Sequence, residues 1–311
     1  MKRAIFYFIL TFLTGIYPSF SQQLKELNVT YVKSPFNLPS IVVKNRQLLE
    51  KAFAGKGIKI NYYEINSGAK QTEAMAAKSI DIAGVINTTS VILANANGNH
   101  VEIVSGYSRP EKVFALVTGD KGIDSVRDLK GKKIAGPKGT VLHQMLVSAL
   151  EKEGMTIDDI QFLQMDIPKA AAALQAGHID GALLAAGTTI NAVKAGSRVL
   201  FTAEGNVNPL LVIASRDGFA SDYPEYVKLF VDVHRNALDW IKANYREAVQ
   251  MGADEQNISF EDAATLYEWT DFDFSFTEKD KASTAEDILF LEKNGMIRKR
   301  ISPDDFINIK G

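Results

Sequence analysis

Apolar positions along this chain recur with two periods in turn, and the change of period predicts a succession of strands and helices. Residues 27–32 and 58–63 alternate apolar with polar, as half-buried strands do. Between them, Ile41, Val42, Leu48, Leu49 and Phe53 share one face of a helix over 40–53. An Ala-rich helix at 71–78, a strand at 80–86, a helix at 89–96 and a strand at 101–105 continue the series. The pattern then restarts. Strands at 114–118, 133–135, 160–163 and 179–184 alternate with a helical turn at 125–129 and helices at 141–152, 168–176 and 188–195. Strands at 199–201 and 210–214 are expected to close this second sheet, and residues 226–245, 259–269 and 282–294 read as a helical tail.

A βα succession of this kind predicts an α/β protein whose sheets are mainly parallel and flanked by helices. A repeated phrase supports two equivalent lobes. Ile80-Asp81 and Ile179-Asp180 each stand between an Ala-rich helix and a strand. No long linker or low-complexity segment separates the lobes, so they are expected to join through short crossings near 107–113 and within 203–219.

Residues 1–21 read as an export signal: Lys2 and Arg3 form a basic start, residues 4–16 are mostly apolar, and Ser19 and Ser21 supply small residues for cleavage. The apolar stretch is short for a membrane span, which needs about 20 residues. Cleavage would leave a soluble, unlipidated chain in a periplasm and move the net charge from −2 to −4. There is no Cys, so disulfides, thiolate metal sites, thiol catalysis and an N-terminal lipidated Cys are excluded. No basic block suggests nucleic acid. With hydrophobic residues at 46% and charged ones at 23%, the composition is that of a globular protein large enough for two lobes.

No nucleophile elbow, Walker A loop, H-E-x-x-H, dinucleotide fingerprint or EF-hand loop occurs, and no cofactor is implied. The 4 histidines are scattered. Asp271 and Asp273 flank Phe272, a spacing better explained by alternation in an extended segment than by a metal. What recurs is a small, polar loop after each predicted strand. These loops hold Phe36 and Asn37; Ser67 and Gly68; Asn87, Thr88 and Thr89; Lys138, Gly139 and Thr140; and Thr188. In parallel α/β sheets ligands sit beyond the carboxyl ends of strands, where loops meet helix N-termini and unpaired N–H groups favour anions. Ser, Thr, Asn and Gly are also ordinary helix caps, so the argument rests on their equivalent positions in two lobes. His143, one turn into the helix after Thr140, is a further candidate lining residue.

Several segments together resemble the periplasmic solute-binding proteins of ABC importers for taurine, aliphatic sulfonates and nitrate. They are residues 48–51, 66–69, 80–84, 128–135, 138–143, 177–182 and 219–225, and the resemblance spans residues 27 to about 300. It implies the type II periplasmic-binding-protein fold, with lobe 1 formed by 22–110 and 217–311, lobe 2 by 111–216, and a two-strand hinge between them. It implies a monomer that closes on one small organic anion or zwitterion and docks on a permease with its ATPase. Sulfonates, amino-acid-like compounds and heterocyclic vitamin precursors all remain open as ligands. Carried over by residue, the pocket holds Phe36, Asn37, Ser67, Gly68, Asn87, Thr88, Thr89, Lys138, Gly139, Thr140, His143 and Thr188. This chain departs from the sulfonate type at residues 185–188, where Ala185, Ala186, Gly187 and Thr188 replace a pattern containing Trp and Pro. The rival readings are an enzyme on the same fold and a sensor subunit that presents its ligand to a receptor.

Overall fold

The computed structural model describes residues 24–32, 36–119 and 122–309. The expected signal at 1–21 lies outside these residues, as does Lys33. Among the described residues no helix is long and apolar enough to cross a membrane.

The first part of the chain forms β1 (Glu26–Tyr31), α1 (Leu38–Asn45), α2 (Leu48–Phe53), β2 (Lys59–Glu64), α3 (Gly68–Ala76), β3 (Ile82–Asn87), α4 (Thr88–Ala96) and β4 (Val101–Ser108). The second part forms β5 (Phe114–Thr118), β6 (Lys133–Gly136), α5 (Val141–Lys152), β7 (Gln161–Gln164), α6 (Ile167–Gln175), β8 (Gly181–Ala185), α7 (Gly187–Lys194) and β9 (Arg198–Thr202). After these come β10 (Leu211–Arg216) and the helices α8 (Phe219–Asp222), α9 (Pro224–Ala243), α10 (Tyr245–Gln256), α11 (Phe260–Thr270) and α12 (Glu278–Lys293).

Two 5-stranded sheets result, in the orders β2-β1-β3-β10-β4 and β7-β6-β8-β5-β9. The orders correspond strand for strand. In each sheet the antiparallel strand is the one that has just crossed from the other lobe: β10 runs against β3 and β4, and β5 against β8 and β9. This corrects the expectation that residues 210–214 close the second sheet. The continuous apolar run reads as a buried strand in either lobe, and only the pairing partners decide which. The repeated Ile-Asp phrase has a structural meaning. Asp81 N–H donates to Asn28 O at 2.8 Å while its carboxylate accepts from Asn28 N–H at 3.0 Å. Asp180 repeats the pair on Lys133, at 2.9 Å and 2.7 Å. Each aspartate therefore ties the first parallel strand of its lobe to the third.

Two helices differ from their sequence reading. The helix expected over 40–53 is broken at Gln47, which adopts a left-handed φ of 54° and starts α2 afresh. The tail contains α10, which the hydrophobic spacing did not reveal, because its buried face is mostly small: Ala248, Val249, Gly252 and Ala253. α9 and α10 pack on α1, and α12 packs on α4, so the tail rests chiefly on the first lobe. α11 also touches α7 of the second.

The crossings at 109–113 and 203–210 are braced. Arg109 forms a two-pronged pair with Asp280, Nε to Oδ1 at 3.0 Å and Nη2 to Oδ2 at 2.6 Å. Asp273 adds an oxygen 3.3 Å from Nη1. The carboxylate of Asp273 also accepts from Ser275 N–H and Oγ, so it is occupied structurally.

Candidate binding cleft

Between the lobes, beyond the carboxyl ends of β1, β3, β6 and β8, lies a cleft of about 600 Å³. Five of the expected residues meet there: Ser67, Gly68, Asn87, Thr140 and Thr188. The walls are mostly apolar, with Ile65 and Leu211 from the first lobe facing Phe114, Val141 and Ile167 from the second. Among the described residues, charged groups stand only at the exposed rim, as Glu64, Lys70 and Asp166, and no arginine lines the cavity.

The polar floor belongs to the first lobe. Gln71, only 2% exposed, was not found by the sequence reading. It lies one helical turn beyond Ser67, on the same face of α3, and that spacing is the signal that could have found it. Thr30 Oγ1 accepts from Gly84 N–H at 3.1 Å and donates to Gln71 Oε1 at 3.1 Å. The relay orients the amide so that its NH₂ turns to the cleft. Asn87 is oriented similarly: Oδ1 accepts from Ser90 N–H at 2.8 Å, which leaves Nδ2 as a donor with no partner among the described residues. Ser67 makes no side-chain cap on α3, so its hydroxyl leaves the first-turn N–H groups of that helix uncapped. Gly68 is required here, because a Cβ would stand 2.3 Å from Ser90 Oγ.

The second lobe offers less. Thr140 donates its hydroxyl proton to Pro137 O at 2.9 Å, and Thr188 donates to Ala185 O at 2.6 Å. Each hydroxyl is therefore spent on its own loop. At the start of α7, Ala186 holds φ 50° and ψ −129°, a region that disfavours any Cβ. Thr188 Oγ1 grips both Ala185 N and O, and Ala186 N–H donates to Val113 O at 3.0 Å, so the surroundings enforce the turn. Such strain costs about 1–3 kcal/mol, more than the extra freedom of an unfolded glycine at about 0.4–1 kcal/mol. Ala186→Gly is expected to stabilise the protein by about 1 kcal/mol and raise its melting temperature by about 2–4 °C. A lower melting temperature would show that the turn is not strained.

The other expected residues are elsewhere. Phe36 and Asn37 are fully buried. Phe36 packs against Gly252 of α10, and Asn37 Nδ2 donates to Val32 O at 2.8 Å, so both serve the core beneath the cleft. Thr88 continues the β3–β10 pairing within the first lobe, and Thr89 lies in a lobe-to-lobe contact. Thr88 N–H donates to Leu210 O, and Thr89 Oγ1 donates to Gln144 Oε1 at 2.8 Å. Gln144 Nε2 in turn donates to Asp287 Oδ1 at 2.6 Å, which makes a buried bridge from α5 to both α4 and α12. Burial pushes the Asp287 carboxyl up to about 7, against the opposing hydrogen bond from Gln144 and with the help of neighbouring Glu286. Lys293–Glu151 and Lys194–Asp262 are further ion pairs between the lobes. Lys138, Gly139 and His143 face a separate groove.

Oriented neutral donors in an apolar cavity between two braced lobes define a class: a protein that encloses a small molecule. The chain belongs to the family described as NMT1/THI5 like, which it matches over residues 52–248. It is 28% identical over 240 residues to a putative aliphatic sulfonates-binding protein of Bacillus subtilis, covering 76% of this chain and 71% of that one. It is also 28% identical over 221 residues to the taurine-binding periplasmic protein of Escherichia coli, covering 70% and 66%. Among solved structures, the alkanesulfonate-binding protein SsuA of Xanthomonas axonopodis pv. citri bound to MOPS superposes with a TM-score of 0.83 at 20% identity, covering 93% of this chain and 99% of that one. These relatives are solute-binding proteins rather than enzymes, and so is this chain.

Proposed function

We propose that this protein is the periplasmic solute-capturing component of an ABC importer, and that its interlobe cleft holds a small organic anion with an apolar body. The observation that carries the reading is the asymmetry of the cleft: a floor of uncharged donors under apolar walls. Gln71 Nε2, Asn87 Nδ2 and the start of α3 supply hydrogen bonds to an oxyanion head, and Phe114, Val141 and Ile167 take its body. Neutral donors suit a weakly hydrated oxyanion such as a sulfonate, because no buried cation among the described residues of the cleft demands a matching charge. The sulfonate- and taurine-binding relatives support the same ligand chemistry. Closure follows if the ligand touches both lobes and so binds the closed arrangement better than the open one. A permease partner is part of this reading, since the captured solute must be handed on.

Calorimetry with a panel of sulfonates, taurine and matched carboxylates tests it. One oxyanion class is expected to bind, and Ser67→Ala combined with Gln71→Leu is expected to weaken it at least about tenfold, since each lost buried donor costs about 1–3 kcal/mol. Full affinity in a folded double variant would remove the α3 floor from the site.

A further inference from the structure

The loop at 136–140 has two sides. Pro137 and Thr140 line the cleft, whereas Lys138 and Gly139 face away, into a groove of about 860 Å³. His143, one turn into α5, joins them there. The groove is walled by both lobes: Val147, Ile160 and Phe162 on one side, Leu93 and Met296 on the other. Nothing in the proposed capture of a solute uses it.

Three observations mark one end of the groove as a built site. His143 is only 4% exposed, and its ring lies against that of Phe162 with centroids 4.9 Å apart. Its Nδ1 accepts from Gly139 N–H at 3.4 Å, so the ring proton sits on Nε2. That nitrogen has no hydrogen-bond partner among the described residues, and His143 lines the groove. Beside it, the exposed Lys138 ammonium has no ion-pair partner among the described residues. Burial, with Lys138 adding to it, pushes the imidazole down to about 4, so the ring is a neutral donor at physiological pH. The acidic groups of the groove do not cancel this end. Glu151 is met by Lys293 at 3.0 Å, and Asp158 is on the exposed edge.

We propose that this groove is a second ligand site, for a small carboxylate with an apolar body. The carboxylate is held between the Lys138 ammonium and the His143 Nε2–H, and the body lies along Phe162, Val147 and Ile160. Its ligand touches both lobes, and its wall is the loop that also lines the cleft. Occupancy therefore favours one spacing of the lobes. The proposal is independent of what the cleft binds.

Long-range ¹H–¹⁵N spectra of the histidine rings test it, with His143→Gln identifying the His143 signals. Benzoate is expected to shift the His143 ring signals saturably. Acetate, which lacks the apolar body, is expected to do so more weakly. Lys138→Ala should abolish the response, and the cleft variant Gln71→Leu should retain it. A benzoate response that persists in Lys138→Ala would overturn the paired clamp, and one that disappears in Gln71→Leu would mean that the probe acts from the cleft; with either result the groove proposal would fall with the solute-capture reading untouched. A response to inorganic phosphate but not to benzoate would overturn the carboxylate assignment. Loss of cleft binding in calorimetry with the His143 response intact would count against solute capture alone.

Discussion

Gly106→Ala is expected to destabilise the protein by about 3 kcal/mol, the upper end of what overpacking costs, and to lower its melting temperature by about 6–12 °C. Gly106 lies in β4 opposite Val212 of β10. On the outer side of β4 the segment 271–275 runs alongside: Asp273 N–H donates to Tyr107 O at 3.1 Å, Arg109 N–H to Asp271 O at 3.0 Å, and Ser105 Oγ to Phe274 O at 2.9 Å. A Cβ on Gly106 would stand 2.0 Å from Ser275 O and 2.9 Å from Ser275 C. These are backbone atoms, so no rotamer change removes the clash. The whole segment must move, and it carries Asp273 and leads to Asp280, both of which hold Arg109 at the crossing. Gly55→Ala is the control, because nothing lies within 4 Å of the place its methyl group would take and its backbone needs no positive φ. Equal melting temperatures for the two variants would show that the tail segment yields freely and does not brace the crossing.

Gly68→Ala is expected to weaken binding in the cleft at least about tenfold, or about 1.4 kcal/mol, with a stability loss of about 1–2 kcal/mol. The new methyl would meet Ser90 Oγ at 2.3 Å, Ser90 Cβ at 2.8 Å and Asn87 Nδ2 at 3.0 Å. The starts of α3 and α4 must then separate. That moves the Asn87 amide and the first-turn N–H groups of α3 together, so the loss exceeds that of one hydrogen bond. Ser90→Gly in the same chain removes both Ser90 contacts and is expected to restore most of the affinity, a coupling that separates steric displacement from general damage. Ser90→Gly failing to rescue a folded Gly68→Ala protein would mean that the two helix starts do not act as one unit. Calorimetry with the ligand found by the panel reads affinity, and thermal melting reads stability.

The αβ succession was legible because buried strands and amphipathic helices carry different periods, and a period is a local property of the chain. The equivalence of the lobes was legible in Asp81 and Asp180, since the same contact within each lobe calls for the same residue type. The loops after the strands announced Ser67, Gly68, Asn87, Thr140 and Thr188, whose residue types suit helix starts wherever those starts point. β10 could not be assigned to a sheet, because a continuous apolar run satisfies an antiparallel slot in either lobe, and pairing is a long-range fact. Likewise nothing local distinguishes Thr140, which faces the cleft, from His143, which turns to the groove on the other side of the same loop. Gln144 carries no motif at all, and Gln71 only its spacing from Ser67. Gln71 matters because Thr30, a neighbour only in the fold, orients its amide, and Gln144 because Thr89 and Asp287 reach it from two other helices. By itself, then, the sequence determined most of the elements, the two-lobed class and the loops from which a site is made. The tertiary structure alone decided which side chains meet across the lobes, because a hydrogen bond or a cavity depends on distances between residues far apart in the chain.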